Sequence, residues 1–125
     1  MKNDWFKGLV LKGNRLGRTT GFPTVNLDPA ILKSDVKQGA YAAWVKFEEK
    51  ICKAMMYFGP RLVLGETKDI LEINIFDFSQ EIYGREIEFQ VWNFLHEPMD
   101  FGGSFERMKE QLERDVIEAK RLLES

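Results

Sequence analysis

Cysteine and histidine are nearly absent, with one of each, Cys52 and His96, in 125 residues. A single cysteine excludes an internal disulfide, and the pair leaves too few soft ligands for a structural zinc site. Cys52 stands in an apolar stretch with Ala54 and Met55, which reads as a small buried hydrophobe and not as a nucleophile. Long apolar runs are missing as well. Those such as Ile73 to Phe76 are short and interrupted, far below the roughly 20 residues that cross a bilayer. The start, with Lys2, Asn3 and Asp4, does not resemble a secretory signal. No membrane partner is expected, and a cytoplasmic location is the default expectation. Nor does one charge sign dominate: 18 basic and 20 acidic residues leave a net charge of −2. No extended cationic surface for phosphate backbones follows, so nucleic acid is not an expected partner.

What is present suffices for one core. An apolar content of 44%, with 13% aromatics, suits a single domain over residues 1–125. Trp5 to Leu11 reads as a strand, and apolar or alternating runs follow at Ala40 to Phe47, Ile51 to Phe58 and Ile70 to Phe78. A further run, Glu86 to Phe94, places Ile87, Phe89, Val91 and Asn93 on one face and Glu86, Glu88, Gln90 and Trp92 on the other. Tyr83-Gly84 before it marks a hairpin-like connection. The period then changes: Phe105, Met108, Leu112, Val116, Ala119 and Leu123 recur at three and four, which predicts a helix whose stripe packs on the sheet. Ser104 is its expected cap, with Glu106 at the positive end and Lys120 and Arg121 at the negative end. Short strands followed by one helix indicate a largely antiparallel sheet, and closure into a barrel would remove exposed edges.

Chemistry concentrates between residues 12 and 26, where glycines, cations and hydroxyls coincide. Gly13, Gly17 and Gly21 allow backbone amides to approach an anion, Arg15 and Arg18 can neutralise it, and Thr19 or Thr20 can donate to it. The segment is not a P-loop: Gly8 and Gly13 are correctly spaced, but Asn14 and Arg15 follow where Lys and Ser/Thr are required. Pro23-Thr24-Val25-Asn26 is either a turn into Leu27 or an extended piece. If extended, Thr24 and Asn26 share a side and present two neutral oxygens suited to a hydrated Mg²⁺ on nucleotide phosphates. Glu72 interrupts the apolar strand Ile70 to Phe76 and shares a face with Asn74. It is either a proton acceptor for a substrate hydroxyl or a residue of an exposed strand face.

The segments Gly17 to Leu27, Lys37-Gln38-Gly39-Ala40-Tyr41, Leu71 to Phe78 and Ile82-Tyr83-Gly84-Arg85-Glu86-Ile87, together with the final helix, resemble the riboflavin kinase family in order and spacing. The resemblance implies a mainly β fold, a six-stranded antiparallel barrel with a carboxy-terminal helix, often joined in bacteria to an adenylyltransferase domain that these 125 residues do not contain. It implies transfer of the ATP γ-phosphate to riboflavin, giving FMN and ADP, by a monomer that uses Mg²⁺. Glu72 would be the catalytic base, and Thr24 and Asn26 would hold the metal and phosphate. Gly13, Arg18, Gly21 and Tyr83 would lie against the nucleotide, and His96, Met99 and Phe101 against the flavin. Differences from the family pattern fall on the acceptor side. Tyr57-Phe58-Gly59-Pro60-Arg61-Leu62-Val63 stands where the family writes Asn-Ile-Gly-x-Arg-Pro-Thr, Asn74 where it writes His, and His96 where it writes Arg. On residue type alone His96 reads as a solvated loop histidine, and Arg61 as a phosphate contact or a partner of Glu66. A non-catalytic flavin-binding module, or a kinase with another nucleotide or acceptor, are the alternatives.

Overall fold

A computed structural model describes residues 4–12, 24–33 and 35–124. Its strands are β1 (Phe6–Leu9), β2 (Val25–Leu27), β3 (Gly39–Phe47), β4 (Lys50–Pro60), β5 (Asp69–Ile75) and β6 (Glu86–His96). Helix α1 (Phe105–Leu123) ends the chain, and short 3₁₀ turns lie at Pro29–Ile31 and Leu62–Leu64. The strands form one sheet in the order β1-β6-β3-β4-β5-β2, with every neighbouring pair antiparallel. Its two edges meet: beyond β1, the Leu11 amide donates to the Asn26 carbonyl at 2.7 Å, so the sheet is a nearly closed barrel with little free edge.

Alternation explains the interior. Val45, Met56, Leu71, Ile73, Ile87 and Phe89 are all almost fully buried and come from successive strands, which is the expected filling of a small barrel. Cys52 is buried in the same cluster, as a small hydrophobe should be. Phe47 pairs with Lys50, so β3 and β4 are joined by only Glu48 and Glu49, both at positive φ (49° and 70°). Two consecutive left-handed residues match the right-handed twist of a two-residue hairpin, although neither is the usual Asn or Gly. Strand β5 is shorter than its apolar run suggests, because the chain turns at Asp77, whose φ is 57°.

Strict alternation fails at two places in β6: at Leu95, an extra residue between Phe94 opposite Tyr41 and His96 opposite Ala40, and at Trp92. Val91 lies opposite Ala43 but Asn93 opposite Ala42, a register shift that inserts Trp92 as an extra residue. Asn93 therefore joins the face of Ala42, which packs beneath the helix, and not the face of Ile87 and Phe89. Gln90, read as an outward polar residue, is also buried, since the outer face beside Trp44 and Trp92 is covered there.

Helix α1 forms as its pattern predicts. The Ser104 hydroxyl accepts from the Arg107 amide at 3.2 Å, and Ala119 and Leu123 are buried against Ala42, Met55 and Phe76 on the outside of the barrel. Full burial of a side chain such as Leu123 contributes on the order of 1.5–3 kcal/mol, so the stripe decides where the helix docks. A pocket opens between the helix and that outer sheet face.

Candidate active site

One row of residues crosses the outer face. Asn26 on β2 lies opposite Glu72 on β5, Glu72 opposite Tyr57 on β4, Tyr57 opposite Ala40 on β3, and Ala40 opposite His96 at the end of β6. Directly paired residues present their side chains to the same face, so these five strands lay Asn26, Glu72, Tyr57 and His96 along a single line. Leu71 and Ile73, on either side of Glu72, point into the barrel. Residues of this row from Glu72 to His96, with Thr24 before it, line the pocket beneath α1.

At the Glu72 end, two groups meet one carboxylate oxygen. The Thr24 hydroxyl donates to Glu72 Oε2 at 3.4 Å, and an Arg61 terminal nitrogen stands 3.5 Å from the same atom. That Arg61 nitrogen donates to Asn26 Oδ1 at 3.4 Å, while the other reaches Glu66 at 3.4 Å. Glu72 is thus not on an exposed strand face: its side chain keeps 15% of its accessibility, and Arg61 keeps 14%. Burial pushes the Glu72 carboxyl above the usual carboxylate range, against which the Arg61 charge and the bonds from Arg61 and Thr24 pull it down. Tyr57, the next residue in the row, donates its hydroxyl to the Pro60 carbonyl at 2.6 Å. Its phenol is pushed up to about 12, first by burial and then by the negative charges of Glu72 and Asp69.

The extended alternative for Thr24 and Asn26 is the observed one. Val25–Leu27 is strand, and both side chains are gathered on the Glu72–Arg61 group. A hydroxyl, an amide carbonyl and a carboxylate are hard oxygen donors of the kind Mg²⁺ takes, and a cationic guanidinium already rests between two of them. The residues present therefore fit the ion. Arg61 holds a more central place than its sequence context suggested, since it bonds to Glu66 and also to the two candidate site residues. Its Nε is buried with no hydrogen-bond partner among the described residues, so the side chain keeps a spare donor.

At the other end, His96 is not a solvated loop residue. It closes β6, with its Nδ1 2.7 Å from the Glu97 carbonyl and its Nε2 at 2.9 and 3.0 Å from the two oxygens of Asp115 on α1. Asp115 is 5% exposed and also accepts from Gln111 Nε2 at 2.9 Å. The bond to Asp115 raises the imidazole above its ordinary value, opposed by partial burial. Met99 and Phe101, on the segment joining β6 to α1, line the same pocket. Asp115 escaped the sequence reading as a site residue, although a signal existed: it lies three after Leu112 and four before Ala119, on the apolar stripe, where a carboxylate must find a partner.

Of the remaining candidates, Tyr83 is not brought to this pocket. Tyr83 sits on an exposed turn, 60% accessible, whose Gly84 amide donates to the Val10 carbonyl at 2.9 Å. Gly13, Arg18 and Gly21 lie outside the described residues.

Residues 2–123 match the family model described as flavokinase, riboflavin kinase. A bifunctional riboflavin kinase/FMN adenylyltransferase of Haemophilus influenzae is 36% identical over 119 residues, which are 94% of this chain and 38% of that protein. The RNA-binding riboflavin kinase RibR of Bacillus subtilis is 33% identical over 87% of this chain and 46% of its own length. The chain thus spans less than half of these curated relatives. Among solved structures, one described as a macrolide-efflux protein from Streptococcus pneumoniae superposes with a TM-score of 0.79 at 29% identity, over 93% of this chain and 38% of that one.

Proposed function

The chain belongs to the riboflavin kinase family, and we propose on that premise that it transfers the γ-phosphate of ATP to the ribityl 5′-hydroxyl of riboflavin, releasing FMN and ADP. The observation that carries this reading is the outer-face row. It aligns a partly desolvated carboxylate, Glu72, with oxygen donors at one end and an aromatic and polar acceptor pocket at the other.

Glu72 accepts the proton of the ribityl hydroxyl as its oxygen bonds to the γ-phosphorus. The bond from that phosphorus to the bridging oxygen breaks, and its electron pair leaves with ADP. The upward pull of burial on Glu72 makes it a stronger base than an exposed carboxylate, and the Arg61 charge opposes that pull. Thr24 and Asn26 hold Mg²⁺, which when bound supplies charge neutralisation for the phosphates. Arg61, released from Glu72 and Asn26, is free to pair with a phosphate oxygen through its planar donors. The nucleotide contacts proposed at Gly13, Arg18 and Gly21 fall outside the described residues, and Tyr83 would meet the nucleotide from its exposed turn. The flavin lies along His96, Met99 and Phe101, where the Phe101 ring offers a plane to the isoalloxazine.

Incubating the purified chain with riboflavin, ATP and Mg²⁺, and measuring FMN by chromatography, tests the reading. FMN should form with wild type, and Asn26→Ala should raise the Mg²⁺ requirement. A folded wild-type protein that binds riboflavin but makes no FMN would overturn it and leave a binding module.

A further inference from the structure

We propose that His96 is a positioning residue for the acceptor: as an imidazolium it ties the end of β6 to helix α1 across the pocket and so sets the grip on riboflavin. The inference rests on the proposed kinase reading of the same pocket. Its basis is geometric. Each ring nitrogen faces an acceptor that cannot donate, the Glu97 carbonyl at 2.7 Å and the Asp115 carboxylate at 2.9 Å. A neutral imidazole owns one N–H, so it could satisfy one of these contacts and would set a lone pair against the other. Only the doubly protonated ring satisfies both.

The tie matters because of where it stands. His96 is the last residue of β6, and the chain leaves it directly into the segment that carries Met99 and Phe101. Asp115 is buried on α1, and without a cation opposite it only the neutral Gln111 amide remains bonded to it among the described residues. Losing the imidazolium leaves an uncompensated buried carboxylate, which the structure relieves by opening the helix from the strand. Both walls of the acceptor pocket move when that happens. Gly39 reinforces the point from β3: a side chain there would collide with the His96 carbonyl and the Phe94 ring, so the strand end has no room to shift inward.

Other charged groups lie in the segments around His96. Glu97 and Asp100 belong to the connecting segment, Lys37 stacks on the Phe94 ring 4.2 Å from its centre, and Tyr57 on β4 stays neutral with its phenol near about 12. Glu72, with its carboxyl raised by burial, and Arg61 lie at the far end of the row. The bond to Asp115 raises the His96 imidazole above its usual value. A raised folded value means the tie is intact below about 6.5 and is lost as pH rises through that raised value.

Because His96 is the chain's single histidine, its imidazole proton signals in an NMR titration need no assignment. The expected result is a titration midpoint above that of a free histidine, and a midpoint at or below it would overturn the inference. Riboflavin affinity, followed by fluorescence quenching from pH 6 to 9, should fall about tenfold in wild type, while the KM for ATP changes little. His96→Gln should bind riboflavin weakly at every pH. His96→Arg should bind with no pH dependence, because arginine keeps its charge throughout. A flat wild-type profile, or the wild-type pH dependence persisting in His96→Arg, would overturn this inference and leave the kinase reading standing. Absence of riboflavin binding at any pH would overturn both.

Discussion

The two ends of the outer-face row each hold a shielded carboxylate beside a cation, yet they are built differently. Glu72 meets Arg61 and Thr24 only at 3.4 to 3.5 Å, at the outer limit of hydrogen bonding. Asp115 meets His96 at 2.9 Å and Gln111 at 2.9 Å, in short contacts. A carboxylate that must exchange its partners for a proton and a metal-bound phosphate gains nothing from a tight resting pair. One that holds two elements together gains from every bond. Loose contacts mark the end where chemistry is proposed, and tight contacts mark the end that shapes the pocket.

Breaking the loose end should have the larger catalytic effect. Glu72→Gln removes the proton acceptor while preserving size, and turnover should drop roughly 10²- to 10⁴-fold, read as FMN formed under saturating substrates. Melting temperature should hardly change, because long contacts to Thr24 and Arg61 contribute little stability. Wild-type turnover in this variant would place the base elsewhere and remove the contrast between the two ends.

Breaking the tight end should show first as stability. Asp115→Ala leaves His96 without its counter-charge and a gap beneath the helix, a loss of about 3–5 kcal/mol by denaturant titration. The pH sense of the pair is fixed by the raised imidazole value: its stabilisation is complete below the unfolded histidine value and declines as pH rises through the folded one. Asp115→Asn should flatten that decline. Leu123→Ala, at the end of the same helix but away from the pair, should cost about 2–5 kcal/mol at all pH values and thus separates docking of the helix from the tie.

How far each end was legible in the sequence follows from the kind of signal each carries. The barrel was readable because its strands alternate and its helix repeats at three and four, and both patterns are local. Glu72 stood out for the same reason, as an acid inside an apolar strand. The row that joins it to His96 was not, because it depends on register across five strands and on irregularities at Trp92 and Leu95 that strict alternation cannot anticipate. Arg61 and Asp115 were underweighted for a related cause. Each takes its meaning from a partner far along the chain, Arg61 from Asn26 and Glu72, and Asp115 from His96. A single histidine after a strand gives no hint that a helical carboxylate 19 residues later will claim it.

Tyr57 lies between the two ends and decides whether they act separately. Its hydroxyl donates to the Pro60 carbonyl, and its phenol, pushed up to about 12, neither accepts a proton from substrate nor passes one on at neutral pH. Tyr57→Phe should therefore cost about 0.5–1.5 kcal/mol for the lost hydrogen bond and change turnover less than roughly threefold. Its ring would still separate Glu72 from Ala40 and His96 in the row. A hundredfold loss of turnover with unchanged stability would instead make the hydroxyl a link in proton transfer. The loose end and the tight end would then be one hydrogen-bonded device, and the different contact lengths would lose the meaning given to them here.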